Sequence, residues 1–205
     1  MQDMEPITGQ SVGAKDSGTA YLARKGVVLR VLLDTNVIQH LSSFGEYIYD
    51  GYLSPAYEKR LANLDEKLRS DVECLQIILG KAPTRTPVTP IVSALSVSEL
   101  LHTGSEVKAA RLVGWGLELM EFASPSRAIS VHRPSQRRLS LASNLPGAID
   151  QLLLGECRRL ECEALITTDY KSILNRRTHQ KIDGALVLSP TEWWALLCPW
   201  WPLWV

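Results

Sequence analysis

Short apolar runs in this chain alternate with segments whose apolar residues recur every three or four positions. An apolar run bounded by polar residues is typical of a buried strand, and the spaced pattern is typical of a helix with one apolar face. Strands are predicted for residues 27–33, 91–95, 128–131, 164–167 and 185–188. Strands that alternate with helices predict an α/β fold, a three-layer α/β/α sandwich around a central, mainly parallel sheet.

The longest helical pattern covers residues 54–79. Ser54 and Pro55 are a favoured cap and a favoured first residue, and apolar side chains follow at helical spacing. Residues 47–53 are aromatic and contain glycine, so a loop is predicted there. Other helices are predicted from residue 37, over 97–101, 105–122, 137–142 and 148–161, and after residue 191.

The two ends of the chain differ from the middle. Residues 1–26 are polar and are expected to be a flexible lead-in to one domain over residues 27–205, with a helical insertion at about 54–80. Five of the six tryptophans lie in the last 13 residues. This tail is too short to span a bilayer. It is expected to fold back on the core, to leave an apolar patch for a partner or a self-contact, or to bind a membrane surface.

Composition narrows the class of protein. With 205 residues and 45% hydrophobic residues, the chain can bury a sizeable core. A formal net charge of zero argues against binding nucleic acid by bulk charge, but not against binding through a few local cations. The four cysteines show no CxxC pairing, which indicates reduced thiols and a cytoplasmic location rather than a zinc site or a disulfide framework.

Four acids stand where predicted strands and helices end or begin. One apolar run ends at Asp34, in LLDTNVI, and another leads through Thr167 to Asp169, in LITTDY. Glu99, in SVSELL, and Asp150, in PGAIDQLL, lie near helix starts. Ligands of α/β proteins bind beyond the carboxyl ends of parallel strands, and clustered carboxylates repel one another unless a cation lies between them. The pattern therefore indicates a magnesium or manganese site of the kind that hydrolyses phosphodiesters.

These four motifs, in this order and each at an element boundary, resemble the PIN domain family of metal-dependent ribonucleases, in particular the VapC-type toxins of toxin–antitoxin pairs. The resemblance runs from about Val28 to Trp194 and includes the ending ALVLSPTEWW. It implies a PIN-like fold and an endoribonuclease that uses Mg²⁺ or Mn²⁺. Asp34, Glu99, Asp150 and Asp169 would then be the metal ligands and catalytic residues. The implied partners are an RNA substrate, an antitoxin protein and a second copy in a homodimer.

Further candidate site residues either match family positions or lie close to one of the four acids in sequence. Asn36 and Thr167 match family positions that order the metal ligands or orient the substrate. Arg176 and Arg177 follow Asp169 closely and are candidates for contact with RNA phosphates. The chain has Leu154 where some family members carry another carboxylate, so the number of metal ions stays open.

Each acid also has an ordinary structural explanation. Asp34 can cap a helix, Asp169 can form a turn and Asp150 can favour a helix start by its charge. Glu99 can be a solvated helix residue.

Two other functions also stay open. A phosphatase of the haloacid dehalogenase type needs a second aspartate two residues after Asp34, where this chain has Asn36. A catalytically inactive PIN scaffold that binds RNA or protein would be marked by lost acids, and all four are present.

Overall fold

The computed structural model describes residues 27–80, 88–102, 104–123, 145 and 147–204. The predictions for residues 1–26, 128–131 and 137–142 lie outside these residues. The described residues form a five-stranded sheet with strand order β2-β1-β3-β5-β4. Its strands are β1 (Arg30–Leu33), β2 (Thr89–Ile91), β3 (Ala164–Ile166), β4 (Lys181–Ile182) and β5 (Ala185–Leu188).

Four of the strands are parallel, as predicted, and β4 pairs antiparallel with β5. The two-residue strand β4 was not predicted, because it is too short to show a periodic pattern. Strand β1 has β2 on one side and β3 on the other, so its carboxyl end lies within the sheet rather than at its margin. Chain connections diverge from such a strand, and the space above its carboxyl end is where open α/β sheets bind ligands.

Eight α-helices lie in the described part of the chain. They are α1 (Thr35–Ser43), α2 (Gly45–Asp50), α3 (Pro55–Ala62), α4 (Glu66–Leu75), α5 (Ala94–Leu100), α6 (Glu106–Ala123), α7 (Ala148–Arg159) and α8 (Pro190–Leu197). A π-helical turn covers Gln76–Gly80, and 3-10 turns cover Leu174–Arg176 and Cys198–Leu203.

Apolar side chains along β1, β3 and β5 alternate between two cores on opposite faces of the sheet. On β1, Val31 and Leu33 lie in the larger core and Leu32 in the smaller one. Helices α1 to α6 and α8 contribute to the larger core, whereas α7 and the turn after β3 contribute to the smaller one. The structure is therefore a mixed α/β protein in which helices cover both faces of a mostly parallel sheet, as expected for strands that are apolar on both sides.

The predicted single helix over 54–79 is wrong. The segment forms α3, α4 and the π-helical turn, with a break before Asp65. The Asp65 carboxylate accepts a hydrogen bond from the Leu68 N–H at 2.9 Å and so caps a new helix. At the end of the segment Gly80 passes close to α2, where a Cβ atom would lie 1.7 Å from the Ile48 carbonyl oxygen. Only glycine fits this approach.

The predicted loop over 47–53 is largely helical, because α2 covers Gly45–Asp50. Ile48 is fully buried, and the Tyr49 ring stacks on Trp115 with ring centroids 5.9 Å apart. Aromatic and β-branched residues have only moderate helix propensity, and here tertiary packing overrides it.

The predicted strand over 91–95 is displaced. Strand β2 ends at Ile91, and α5 begins at Ala94. The Ser93 hydroxyl accepts a hydrogen bond from the Ser96 N–H at 3.0 Å, which caps α5. A short apolar run does not by itself distinguish a strand from a buried helix start, and the cap decides it here.

The tryptophan-rich tail folds back on the larger core. Trp193 is fully buried in α8, and its indole N–H donates to the Val28 carbonyl oxygen at 2.9 Å. Trp201 packs edge-on against Trp194 and Trp204, with centroids 5.0 and 5.9 Å apart. Leu203 at the end of this segment remains 71% exposed. Of the predicted arrangements, the structure has the folded one, in which Leu203 is a large exposed apolar side chain. None of the helices in the described ranges has the length and apolar character needed to cross a bilayer.

Candidate functional site

The four predicted acids gather at the carboxyl edge of the sheet. Asp34 directly follows β1, and Asp169 lies in the turn after the neighbouring strand β3. Glu99 is on α5, which follows β2, and Asp150 is in the first turn of α7. Their charges act on one another: those of Glu99 and Asp150 raise the pKa of Asp34, and those of Asp169 and Glu99 raise the pKa of Asp150. Asp34, Glu99, Asp150 and Asp169 are called the acid cluster below.

Asp34 is the most buried member of the cluster, with 3% of its surface exposed. Its Oδ1 accepts a hydrogen bond from the Thr35 N–H at 2.7 Å, and its Oδ2 accepts one from the Thr167 hydroxyl at 2.5 Å. Burial raises the pKa of Asp34 to about 7, the hydrogen bonds from Thr167 and Thr35 oppose this rise, and the charges of Glu99 and Asp150 add to it. Asp34 caps α1, but a cap alone does not require acidic neighbours.

Glu99 is brought to Asp34 by two hydroxyl groups that sequence reasoning did not assign. The fully buried Ser96 hydroxyl donates to the Leu33 carbonyl oxygen at 3.2 Å, which fastens α5 to the end of β1. The Thr35 hydroxyl then donates to the Glu99 carboxylate. Thr35 therefore holds both acids, Asp34 through its N–H and Glu99 through its hydroxyl. Ser96 and Thr35 stand beside the acidic motifs in sequence, which was the available signal.

Asp150 is half-buried at the start of α7. Gly147 caps this helix, and a Cβ atom there would lie 2.7 Å from Asp150 Oδ2. The glycine thus leaves room for the carboxylate to fold back over the helix start. Burial is the main cause of the raised pKa of Asp150, and the charges of Asp169 and Glu99 add to it.

Asp169 differs from Asp34 and Asp150 in that its pKa is lowered rather than raised. Its Oδ1 accepts hydrogen bonds from the N–H groups of Lys171 at 2.9 Å and Ser172 at 2.8 Å, and the Ser172 hydroxyl donates to Oδ2. Burial raises the pKa of Asp169, but the hydrogen bonds from Ser172 and Lys171 and the Lys171 charge outweigh it, so the pKa lies below its usual value. Asp169 is therefore ionised at neutral pH.

Thr167 connects the acids that follow β1 and β3. It is fully buried; its hydroxyl donates to Asp34 Oδ2 and accepts a hydrogen bond from the Asp169 N–H at 3.0 Å. One hydroxyl group thus sets the position of one carboxylate and of the backbone that carries the other. Both hydrogen bonds position the acids, which is the role that the family resemblance implies for Thr167.

Sequence reasoning missed Asp71, a fully buried acid on α4. Its Oδ2 accepts a hydrogen bond from the Tyr170 hydroxyl at 2.8 Å, and its Oδ1 accepts from the N–H and the hydroxyl of Thr191 at 3.0 and 2.7 Å. These three residues, Asp71, Tyr170 and Thr191, are called the Asp71 junction. It ties the predicted insertion to the residue after Asp169 and to the start of α8. The signal was available, because Asp71 lies three residues after Leu68 on the apolar face of its helix.

The remaining predicted residues differ in what they contact. The Arg177 guanidinium forms an ion pair with Glu192 and donates to the Leu174 and Val187 carbonyl oxygens at 3.0 and 2.8 Å. These contacts give Arg177 a structural role. Arg176 is exposed on its 3-10 turn. Asn36 is half-buried in the first turn of α1, and its side chain makes no hydrogen bond to the described residues.

The acid cluster fits a hard divalent cation by its donor chemistry. Its ligands are carboxylate oxygens. Burial is the main cause of the raised pKa of Asp34 and Asp150, repulsion between the carboxylates adds to it, and a cation relieves that repulsion. Within the described ranges, no three His, Cys, Asp or Glu side chains converge as a ready cage for a metal ion. Protein hydroxyl and N–H groups instead hold the carboxylates of Asp34, Glu99 and Asp169.

Comparisons of the chain with protein-family models, with curated proteins and with solved structures found no match in any of the three. The resemblance to PIN domain ribonucleases therefore rests on the four sequence motifs. Any functional conclusion depends on the chemistry of the residues in this chain.

Proposed function

We propose that this protein is a PIN-like endoribonuclease that hydrolyses RNA phosphodiester bonds with Mg²⁺ or Mn²⁺ held by the acid cluster. The observation that supports this most is the setting of Asp34. It is buried at the carboxyl end of a strand inside the sheet and carries the repulsion of Glu99 and Asp150. A structural cap has no need of such neighbours, whereas a cation site requires them.

The chain's own residues would act as ligands and as their supports. A bound divalent cation supplies an activated water and stabilises the charge that develops on the phosphate. Asp34, Glu99, Asp150 and Asp169 would hold it, and Thr167 would keep Asp34 oriented through its hydroxyl. Because a ligand must be deprotonated, the proton on Asp34 competes with the cation. With a pKa of about 7 at Asp34, cation binding strengthens as the pH rises toward neutrality and above.

Exposed cations lie close to the Asp169 turn. Lys171 follows it directly, Arg176 lies on the next turn, and the Lys67 ammonium group lies 5.3 Å from the centroid of the Tyr170 ring. Such side chains contact phosphates without reading sequence. Local cations of this kind suit RNA binding by a chain whose formal net charge is zero. In a toxin, an antitoxin protein would block this edge of the sheet, and we propose a homodimer as the assembly.

A catalytically inactive scaffold that binds RNA or protein is the second candidate. The missing three-ligand cage in the described part of the chain favours it. The two candidates differ in one measurable property, because a scaffold that has lost its cation site binds Mg²⁺ and Mn²⁺ poorly.

The deciding experiment measures cleavage of varied single-stranded and looped RNAs with Mg²⁺, Mn²⁺ or EDTA. We expect metal-dependent cleavage that falls to the EDTA background in an Asp34→Asn variant. Asp50→Asn is the matched control, because Asp50 is exposed at the end of α2. Calorimetric titration with Mn²⁺ accompanies the assay. A folded protein that neither cleaves RNA nor binds either cation would contradict the nuclease and support the scaffold.

A further inference from the structure

The carboxyl-terminal end of α7 brings two cysteines together. The Cys162 N–H donates to the Cys157 carbonyl oxygen at 2.8 Å, and the Glu161 N–H donates to the Arg158 carbonyl oxygen at 3.1 Å. Glu161 has a φ of 54°, in the left-handed region. These two bonds and the left-handed residue define a Schellman motif, which is frequently accompanied by contact between the side chains at the positions of Cys157 and Cys162. The usual apolar contact of this motif is here a pair of thiols.

The sulfur contacts agree with the backbone. The Cys157 thiol donates toward the Cys162 carbonyl oxygen at 3.7 Å, and the Cys162 thiol donates toward the Leu160 carbonyl oxygen at 3.9 Å, so both sulfurs lie against the same turn. Cys157 is 1% exposed and Cys162 is half-buried, and both cysteines line an open cleft of about 390 Å³ together with Arg158 and Lys181. Cys162 is therefore the more accessible thiol, and Cys157 lies beside it in the wall of the same cleft.

The surroundings make the accessible thiol the more acidic one. The hydrogen bond with Cys157 lowers the pKa of Cys162, the Arg30 charge adds to this, and burial and the charges of Glu163 and Glu156 oppose it. The same hydrogen bond and burial raise the pKa of Cys157. The thiolate is the reactive form of cysteine, so Cys162 is the thiol that reacts first.

We propose that Cys157 and Cys162 are a peroxide-reactive thiol pair that closes to an intramolecular disulfide. The Cys162 thiolate attacks a hydrogen peroxide oxygen, the O–O bond breaks, and one water leaves with the thiol proton. The product is a sulfenic acid on Cys162. The Cys157 sulfur then attacks the Cys162 sulfur, the S–O bond breaks, and the hydroxide leaves as water with the Cys157 proton. Two thiols have lost two electrons, and one peroxide has become two waters.

This pair lies at the amino edge of the sheet, away from the acid cluster. The Glu163 N–H donates to the Arg30 carbonyl oxygen at 2.7 Å, at the point where β1 begins and before β3 does. The acid cluster follows the opposite ends of these strands. The thiol pair therefore does not depend on the proposed nuclease activity. A disulfide formed by an oxidant and removed by a reductant also agrees with cysteines that are ordinarily reduced.

The test uses the full reduced chain, treated with hydrogen peroxide and then with an alkylating agent. Trypsin cuts after Arg158 and Arg159, between the two cysteines, so the disulfide appears as a cross-link between peptides 139–158 and 160–171. We expect this cross-link to form and to disappear with dithiothreitol. Cys74, which is buried, and Cys198, which is exposed, serve as internal controls. Both should stay reduced during the peroxide treatment and should then be found alkylated.

Two variants separate the steps. With Cys162→Ser, Cys157 should stay reduced, because the reacting thiol is gone. With Cys157→Ser, Cys162 should accumulate a sulfenic acid that dimedone traps. Unfolding curves of both variants check that each still folds. The proposal is overturned if the two cysteines remain alkylated as fully as Cys74, or if Cys162 pairs instead with Cys198 of another molecule.

Discussion

The acid cluster and the Asp71 junction are each built around a buried aspartate, yet the two carboxylates have different neighbours. Burial is the largest cause of a raised pKa at both Asp34 and Asp71. Asp71 accepts three hydrogen bonds from Tyr170 and Thr191, whereas Asp34 accepts two and also lies near Glu99 and Asp150. Burial alone therefore does not distinguish a structural acid from a site acid. The charge of Glu192 also raises the pKa of Asp71, but Glu192 is paired with Arg177. The number of donors and the number of acidic neighbours therefore distinguish the two aspartates.

The two regions are also joined through one turn. Tyr170 belongs to the junction and directly follows Asp169, a member of the cluster. The segment predicted to be an insertion therefore supports the turn that carries a candidate metal ligand. The contrast between the regions is open to test by variants that alter one and leave the other intact.

Asp34 should make the stability of the fold depend strongly on pH. Its pKa is raised in the folded state, so the folded protein holds a proton that the unfolded chain releases above about pH 4. The contribution of Asp34 to the free energy of unfolding should therefore be greatest below pH 4. It should fall as the pH rises to about 7 and should be constant above that. For a pKa that moves from 3.8 to about 7, the fall is at most about 4 kcal/mol.

Denaturant unfolding in EDTA from pH 4 to 8 measures this effect. The difference between Asp34→Asn and the wild type should grow in favour of the variant across that range, since the other groups cancel. Added Mn²⁺ should then restore the stability of the wild type only. A difference that stays constant with pH would contradict this prediction, because it would show that folding does not raise the pKa of Asp34.

Removing the junction acid should destabilise the fold. Asp71→Ala leaves the Tyr170 hydroxyl and both Thr191 donors without their acceptor, and should lower the free energy of unfolding by about 2–4 kcal/mol at pH 7. Asp65→Ala, at the exposed helix cap of the same segment, is the control and should cost about 1 kcal/mol. Equal losses in the two variants would mean that the junction adds nothing beyond an ordinary cap.

Thr167→Val should affect the cluster more than the fold. It removes the donor to Asp34 and the acceptor of the Asp169 N–H, so cation affinity and cleavage should fall by about 10–100-fold. Because the Thr167 hydrogen bond lowers the pKa of Asp34, the pH at which the cation binds should move upward. Mn²⁺ titration at several pH values measures both changes. Thr168→Val is the adjacent control, and a similar loss in that variant would argue against a positioning role for Thr167.

The Tyr170 hydroxyl links the two regions, and its removal should have a modest effect. Tyr170→Phe removes one hydrogen bond to Asp71 and should lower the free energy of unfolding by about 1 kcal/mol. If the junction steadies the Asp169 turn, Mn²⁺ affinity should fall as well. Thr191→Val removes a bond to the same carboxylate from α8, away from that turn, and should leave the affinity unchanged. A fall of equal size in both variants would reduce the junction to a purely structural contact.

Local signals predicted several elements correctly. The strands predicted over 164–167 and 185–188 match β3 (Ala164–Ile166) and β5 (Ala185–Leu188). Ser189 with Pro190 marks the start of α8, as predicted. The errors occurred where local signals compete. The apolar run after Ile91 was assigned to a strand although Ser93 caps a helix, and Asp65 ends a helical pattern that periodicity alone would continue.

The alternation of strands and helices and the placement of acids at their ends could be predicted from local sequence, because the spacing of apolar residues and the helix caps depend on residues close together in the chain. Which groups contact those acids depends on the tertiary structure. Asp71 reaches Tyr170 from 99 residues away and Thr191 from 120, and Thr35 reaches Glu99 from 64. Such contacts depend on the order of strands in the sheet and on how helices pack across it, and no local pattern encodes either.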